Sequence, residues 1–220
     1  MYVLGKYIKE KTDTTVVLSG EGADEVMQGY IYFHKAPSAD AADTESRRLC
    51  KDLYIYDVLR GDRTIAAWGL EIRLPFLDHQ LTSYFLSLPP SPRQPQKGIE
   101  KHLLRSAFSN TGLLPDDILW RPKEGFSDGI TPVERSWFKI IQEYMDEKIS
   151  ESELQSANIE YPYNTPHSKE SLYYRKIFEE FYPGMASLTP YFWTLKWSSA
   201  KDPSSRTLEY YKTSDLRVIK

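Results

Sequence analysis

The sequence has little cysteine and little charge imbalance. The sole cysteine, Cys50, excludes an internal disulfide framework and suits a reducing compartment, so we expect a cytoplasmic protein. A net charge of -3 with no basic tract argues against a nucleic-acid partner. The sequence also lacks a membrane-length apolar run, a signal-peptide pattern and the cysteine and histidine spacing of a zinc site. We therefore expect neither a membrane anchor nor a zinc site.

Hydrophobic periodicity predicts one strand followed by a mainly helical chain. Val16–Leu18 predicts the end of a buried strand. The residues from 89 to 95 are rich in proline and predict an extended surface connection. From Ser198 the sequence turns polar and aperiodic, which predicts a loose tail. Helical spacing predicts helices at 49–60, 65–70, 80–88, 99–109, 137–148 and 168–182.

The sequence SGEGADE (19–25) directly follows the predicted strand. Its two glycines allow a sharp turn, and the residues after it are compatible with a helix. A strand, a glycine turn and a helix N-terminus together bind anions through free backbone N–H groups. Three carboxylates in such a loop (Glu21, Asp24 and Glu25) indicate a metal or a substrate amine. A purely structural turn, with acids favoured by the helix dipole, explains the motif alone equally well.

Two cations stand in segments further along the chain. Arg73 lies among apolar neighbours, where a guanidinium needs an anionic partner. An ordinary ion pair with Glu71 or Asp78 is the alternative, and Asp78 also suits the N-cap of the next helix. Lys123 lies in the charged, glycine-containing sequence WRPKEGFSDG. Such loops are either solvated connectors or clamps that close over phosphates.

Taken in order, these segments resemble the synthetase domain of glutamine-dependent asparagine synthetases, over essentially the whole chain. The resemblance implies an α/β fragment that is mostly helical. It would be the C-terminal part of a Rossmann-like ATP pyrophosphatase (PP-loop) synthetase domain, spanning 1–197, followed by a polar C-terminal tail at 198–220. The matching sequences are SGEGADE, GYIYFHKAP (29–37), RLPFLD (73–78), GIEKHLLR (98–105), WRPKEGFSDG (120–129) and YNTP (163–166).

The resemblance implies a ligase of the glutamine amidotransferase family that makes asparagine. ATP, with Mg²⁺, would convert the side-chain carboxylate of aspartate to a β-aspartyl-adenylate and release pyrophosphate. Ammonia, released from glutamine in a separate glutaminase domain, would then attack the adenylate to give asparagine and AMP. The implied partners are aspartate, ATP and that ammonia, with a homodimer in the complete enzyme and neither nucleic acid nor membrane.

The resemblance also assigns roles to individual residues. Glu21 matches the essential acid that orients aspartate and accepts a proton from ammonia. Asp24 is the best candidate to help hold Mg²⁺, an oxygen-seeking cation that is usually shared with substrate phosphates. Arg73 and Lys123 match cations that neutralise charge on the departing pyrophosphate. The positions that match residues lining ATP are Ser19 and Gly20.

The family's pyrophosphate loop, of the form SGGxDS, does not occur in these 220 residues, and neither does a glutaminase domain. We therefore expect part of a longer enzyme, inactive on its own. Two alternatives remain. One is a non-catalytic isoform or remnant that binds nucleotide or a full-length partner. The other is a related adenylating enzyme such as a β-lactam synthetase, against which the sequences RPKEGFSDG (121–129) and YNTP (163–166) weigh.

Overall fold

The computed structural model describes residues 1–211, which group into two compact units, 1–123 and 124–211. As predicted, the chain is mainly helical. Within the described part, no helix is both long and apolar enough to cross a membrane. The first unit contains α1 (Tyr2–Lys11), β1 (Val16–Leu18), α2 (Ala23–Val26), α3 (Ala39–Asp52), α4 (Asp57–Ala66), β2 (Glu71–Arg73), α5 (His79–Ser87), α6 (Pro90–Arg93), α7 (His102–Phe108) and α8 (Asp116–Leu119). The second contains α9 (Phe126–Gly129), α10 (Trp137–Lys148), α11 (Glu151–Glu160) and α12 (Lys169–Phe181).

The predicted strand is present as β1, and it pairs in parallel with β2, which the periodicity did not predict. Val17 lies opposite Ile72 in the register. The expectation that this strand is buried is wrong, because Val16 is 46% exposed and Leu18 is 76% exposed. Within residues 1–211, β1 has a strand neighbour on one side only and little packing over its outer residues.

The core of the first unit forms around α2. Val26 and Met27 are fully buried and pack with Phe85 of α5. On the side of α3, the Ser46 hydroxyl donates a hydrogen bond of 2.5 Å to the backbone carbonyl of Glu25. A helix of four residues gains little stability from its own hydrogen bonds, so these tertiary contacts hold it in place. They thereby fix the acidic loop that precedes it.

Several helix predictions are confirmed, and α10 has the predicted limits. Asp78 caps α5 as expected, because its carboxylate accepts hydrogen bonds from the backbone N–H groups of Gln80 and Leu81 at 2.9 and 3.0 Å. The continuous helix predicted at 49–60 is wrong. The non-helical backbone of Tyr56 (φ -121°, ψ -105°) separates α3 from α4. The separate helix at 65–70 is also wrong, because its first two residues end α4.

The proline-rich stretch is not an extended surface connection. It contains α6, in which a proline occupies the first helical position, where its missing N–H is not needed. The side chain of Arg93 is fully buried and pairs with Asp43 of α3. This buried ion pair holds the segment against the core. The proline-rich, polar sequence of 89–95 gave no sign of it.

The core of the second unit joins α11 and α12 through Ile149, Ala157, Tyr161 and Leu172. Residues 198–211 belong to this unit, so the expectation of a loose tail is corrected there. Buried apolar side chains late in the chain, such as Leu208, anchor the polar segment. Residues 212–220 lie outside the described part of the chain. The division into 1–197 and 198–220 stays a prediction.

Candidate functional site

The glycine loop begins where β1 ends. The backbone N–H of Ser19 donates to the carbonyl of Arg73 at 2.9 Å, and the N–H of Ala23 donates to the carbonyl of Gly20 at 3.3 Å. Gly22 takes a φ of 88°, a backbone angle that residues other than glycine rarely adopt. Strand, glycine turn and helix start therefore follow one another as the sequence predicted. Ser19 and Gly20 stand at the carboxyl end of the strand.

Two lysines converge on the carboxylate of Asp24. Lys101 Nζ lies 2.5 Å from Asp24 Oδ1, and Lys123 Nζ lies 3.0 Å from Asp24 Oδ2. All three side chains are largely buried. Burial raises the pKa of Asp24, but the two ammonium groups outweigh it and hold that pKa below its ordinary value. The structure thus places Lys123 beside the acidic loop and adds Lys101, which sequence reasoning had not singled out.

This arrangement does not fit a magnesium site built from the chain's own side chains. Both carboxylate oxygens of Asp24 face ammonium groups. Among residues 1–211, no cluster of three or more histidine, cysteine, aspartate or glutamate side chains is placed to hold a metal ion. Asp24 is here the counter-ion of two lysines.

Glu21 lies on the other side of the loop, against α4. Its Oε1 is 3.6 Å from Arg60 Nη2, which also lies 2.5 Å from Asp57 Oδ1. Its Oε2 is buried and has no hydrogen-bond partner within residues 1–211. Burial raises the pKa of Glu21, and Arg60 opposes this. A Cβ at Gly61 would come within 2.3 Å of Oε2, so any other residue at this position would displace the Glu21 carboxylate.

Glu25, the last acid of the loop, belongs to a partly buried hydrogen-bonded group. The Tyr30 hydroxyl donates to Glu25 Oε1 at 2.5 Å and lies 3.3 Å from Asp57 Oδ2. Burial raises the pKa of Glu25 to about 7, the hydrogen bond from Tyr30 lowers it, and the charges of Asp24 and Asp57 raise it further. Sequence reasoning noted Glu25 only as a loop acid. The one available signal for Tyr30 was its place in GYIYFHKAP (29–37).

The raised pKa of Glu25 predicts a pH-dependent stability. The folded protein favours the protonated acid, so this contribution is complete below about pH 4.5 and is lost as the pH rises to about 7. Over that range we expect the free energy of unfolding of the wild type to fall by on the order of 3 kcal/mol. Glu25→Gln should remove this fall. Urea unfolding of the 220-residue chain at pH 5 and pH 7.5 measures it, with Glu10→Gln on the exposed face of α1 as control. Equal pH dependence in wild type and Glu25→Gln would contradict the assignment.

Arg73 takes the local partner named as the alternative. Its Nη2 lies 2.8 Å from Glu71 Oε1, and its side chain is 59% exposed. Its apolar neighbours in the sequence indicated a side chain surrounded by apolar groups. The exposed side chain does not match that expectation. Its role toward pyrophosphate stays a prediction, as do the catalytic and binding roles of the other predicted site residues.

The chain is similar to known proteins over nearly its whole length. The family model described as asparagine synthase matches residues 1–43 and 36–209. Glutamine-hydrolysing asparagine synthetases are similar over 214 residues: those of Gallus gallus at 58% identity, and of Bos taurus and Homo sapiens at 56%. Each match covers 97% of this chain and 38% of the relative's length. The chain belongs to the asparagine synthase family, and the resemblance is confirmed.

Proposed function

We propose that this chain forms part of the ATP-dependent synthetase domain of a ligase that makes asparagine from aspartate, ATP and glutamine-derived ammonia. The names of the relatives support this. The observation that carries the proposal is the convergence of Lys101 and Lys123 on Asp24, at a glycine loop that follows a parallel strand. Such a loop is suited to polyphosphate, and the lysines supply the matching charge. The Rossmann-like PP-loop assignment belongs to this proposal.

The geometry suits a reaction in which negative charge builds up on a leaving group. Ser19 and Gly20 stand at the carboxyl end of β1, the edge of a parallel sheet where a nucleotide would bind. Lys123, and Lys101 beside it, would neutralise the pyrophosphate as it leaves the β-aspartyl-adenylate. In the form described, Asp24 holds both ammonium groups in place before the phosphates arrive.

Glu21 is suited to the step that follows adenylate formation. Ammonia attacks the aspartyl carbonyl carbon, AMP leaves with the bonding electrons, and the surplus proton of the nitrogen needs an acceptor. A carboxylate with a raised pKa is a better acceptor than an ordinary one. A role for Arg73 toward pyrophosphate, a homodimer and a cytoplasmic location are further parts of the proposal.

A chimeric enzyme tests the proposal. The aligned C-terminal segment of the Gallus gallus relative is replaced by this chain, which matches 38% of that relative. We expect the chimera to form asparagine from aspartate, ATP and ammonium, with one pyrophosphate released for each asparagine. A folded chimera that releases no pyrophosphate would contradict the proposal. Release with an acceptor other than ammonia would favour a related adenylating enzyme.

The 220-residue chain alone should form no asparagine with either glutamine or ammonium. The reason is electrostatic: its sequence contains no SGGxDS segment, and backbone donors of that kind stabilise the leaving pyrophosphate. Pyrophosphate release and asparagine are measured with and without the remainder of the Gallus gallus relative supplied as a separate chain. Turnover by the 220-residue chain at the rate of the chimera would refute this expectation.

A further inference from the structure

Arg206 is held almost entirely out of solvent within the second unit. Its side chain is 5% exposed. Nη1 donates to the carbonyl of Pro132 at 2.8 Å, and Nη2 donates to the carbonyls of Thr131, at 2.9 Å, and Asp128. All three acceptors lie in one short segment far earlier in the chain. A planar guanidinium has fixed donor directions, so it holds these carbonyls in a single arrangement.

Neighbouring residues strengthen the same connection. The Ser204 hydroxyl donates to Asp128 Oδ1 at 3.0 Å, and Arg206 Nε lies 3.8 Å from the same atom. The Tyr211 hydroxyl donates to Glu124 Oε1 at 3.0 Å. Tyr211 is itself buried, which fixes the position of its hydroxyl. We call residues 202–211 the C-terminal clasp, since they hold the segment 124–132 at both of its ends.

The held segment begins at the residue after Lys123. The Tyr211 hydrogen bond acts on Glu124, so it restrains the backbone from which the Lys123 side chain departs. We propose that Arg206 is a positioning residue: through the clasp it fixes the 124–132 segment and thereby the direction of Lys123. This inference rests on the proposed function of Lys123. It adds that this function depends on Arg206, a residue far from Lys123 in the sequence.

The segment has little regular structure of its own. Its regular structure is α9, a single turn of four residues. Without the guanidinium, three carbonyls of this segment would lose their charged donor. Only the 124–132 segment would then open, because Arg206 is not part of the core formed by Ile149, Ala157 and Leu172.

Hydrogen exchange of the 220-residue chain tests the clasp. We expect Arg206→Gln to speed exchange in peptides covering 124–137 by about tenfold or more, with no change in α12. Tyr211→Phe, which removes one hydroxyl, should speed exchange only near Glu124. Arg135→Gln is the matched control, because Arg135 lies beside the segment with its side chain 71% exposed. Unchanged exchange at 124–137, or faster exchange spread equally through α12, would overturn the clasp.

Binding of inorganic pyrophosphate to the chimeric enzyme, which also contains the relative's own pyrophosphate loop, tests the effect on Lys123. We expect Arg206→Gln to weaken this binding by about tenfold at a temperature where the variant is folded, and Arg135→Gln to leave it unchanged. If wild type binds and Arg206→Gln binds equally well, the positioning role is refuted. If wild type binds no pyrophosphate, the proposed function of Lys123 fails instead, and the exchange experiment still decides whether the clasp holds the segment.

Discussion

Glu21→Ala is expected to abolish asparagine formation in the chimeric enzyme, with a loss of at least roughly a hundredfold. The carboxylate stands between two glycines of the loop, where it is held against α4 by Arg60 at 3.6 Å. Burial raises its pKa, which suits it to take the proton that ammonia loses. Alanine removes both the acceptor and the group that would orient the aspartate amine. Pyrophosphate release and asparagine yield measure the loss.

Glutamine hydrolysis in the same chimera provides the internal control, because it takes place in the relative's own segment and should stay within about twofold of the parent. Glu21→Gln separates the two roles of the carboxylate, since the amide keeps the volume but cannot accept a proton at neutral pH. Glu10→Ala is a surface control on α1. Normal pyrophosphate release together with normal asparagine yield in Glu21→Ala would mean that the loop is only a structural turn.

The local features of the site were predictable from sequence because they depend on neighbouring residues. Val16–Leu18 followed by SGEGADE (19–25) gave the strand, the turn and the start of α2. The cap at Asp78 followed from the same kind of local rule. The boundary between α3 and α4 did not, because helical spacing continues across Tyr56 while the backbone there does not.

The partners of these residues were not predictable by spacing, because they come from distant parts of the chain. Lys101 meets Asp24 across 77 positions. Helical spacing does not single out Gly61, yet a Cβ there would come within 2.3 Å of Glu21 Oε2. Burial likewise sets the shifted pKa of Glu25, and burial depends on the packed tertiary structure. Resemblance to a family supplied the identities of several residues, and only the fold supplied their contacts.

Lys123→Ala should reduce pyrophosphate release by the chimera roughly a hundredfold, because removing one preorganised donor at a developing charge has a cost of that order. The fold should survive, since Lys101 still neutralises Asp24 at 2.5 Å. Lys169 offers a matched control: its ammonium is also largely sheltered and lies 2.7 Å from Asp146, in the second unit. Lys169→Ala should change the rate by less than about twofold. If both variants lost the same small amount, Lys123 would be only a structural counter-ion of Asp24, and the polyphosphate site would have to be sought elsewhere in the enzyme.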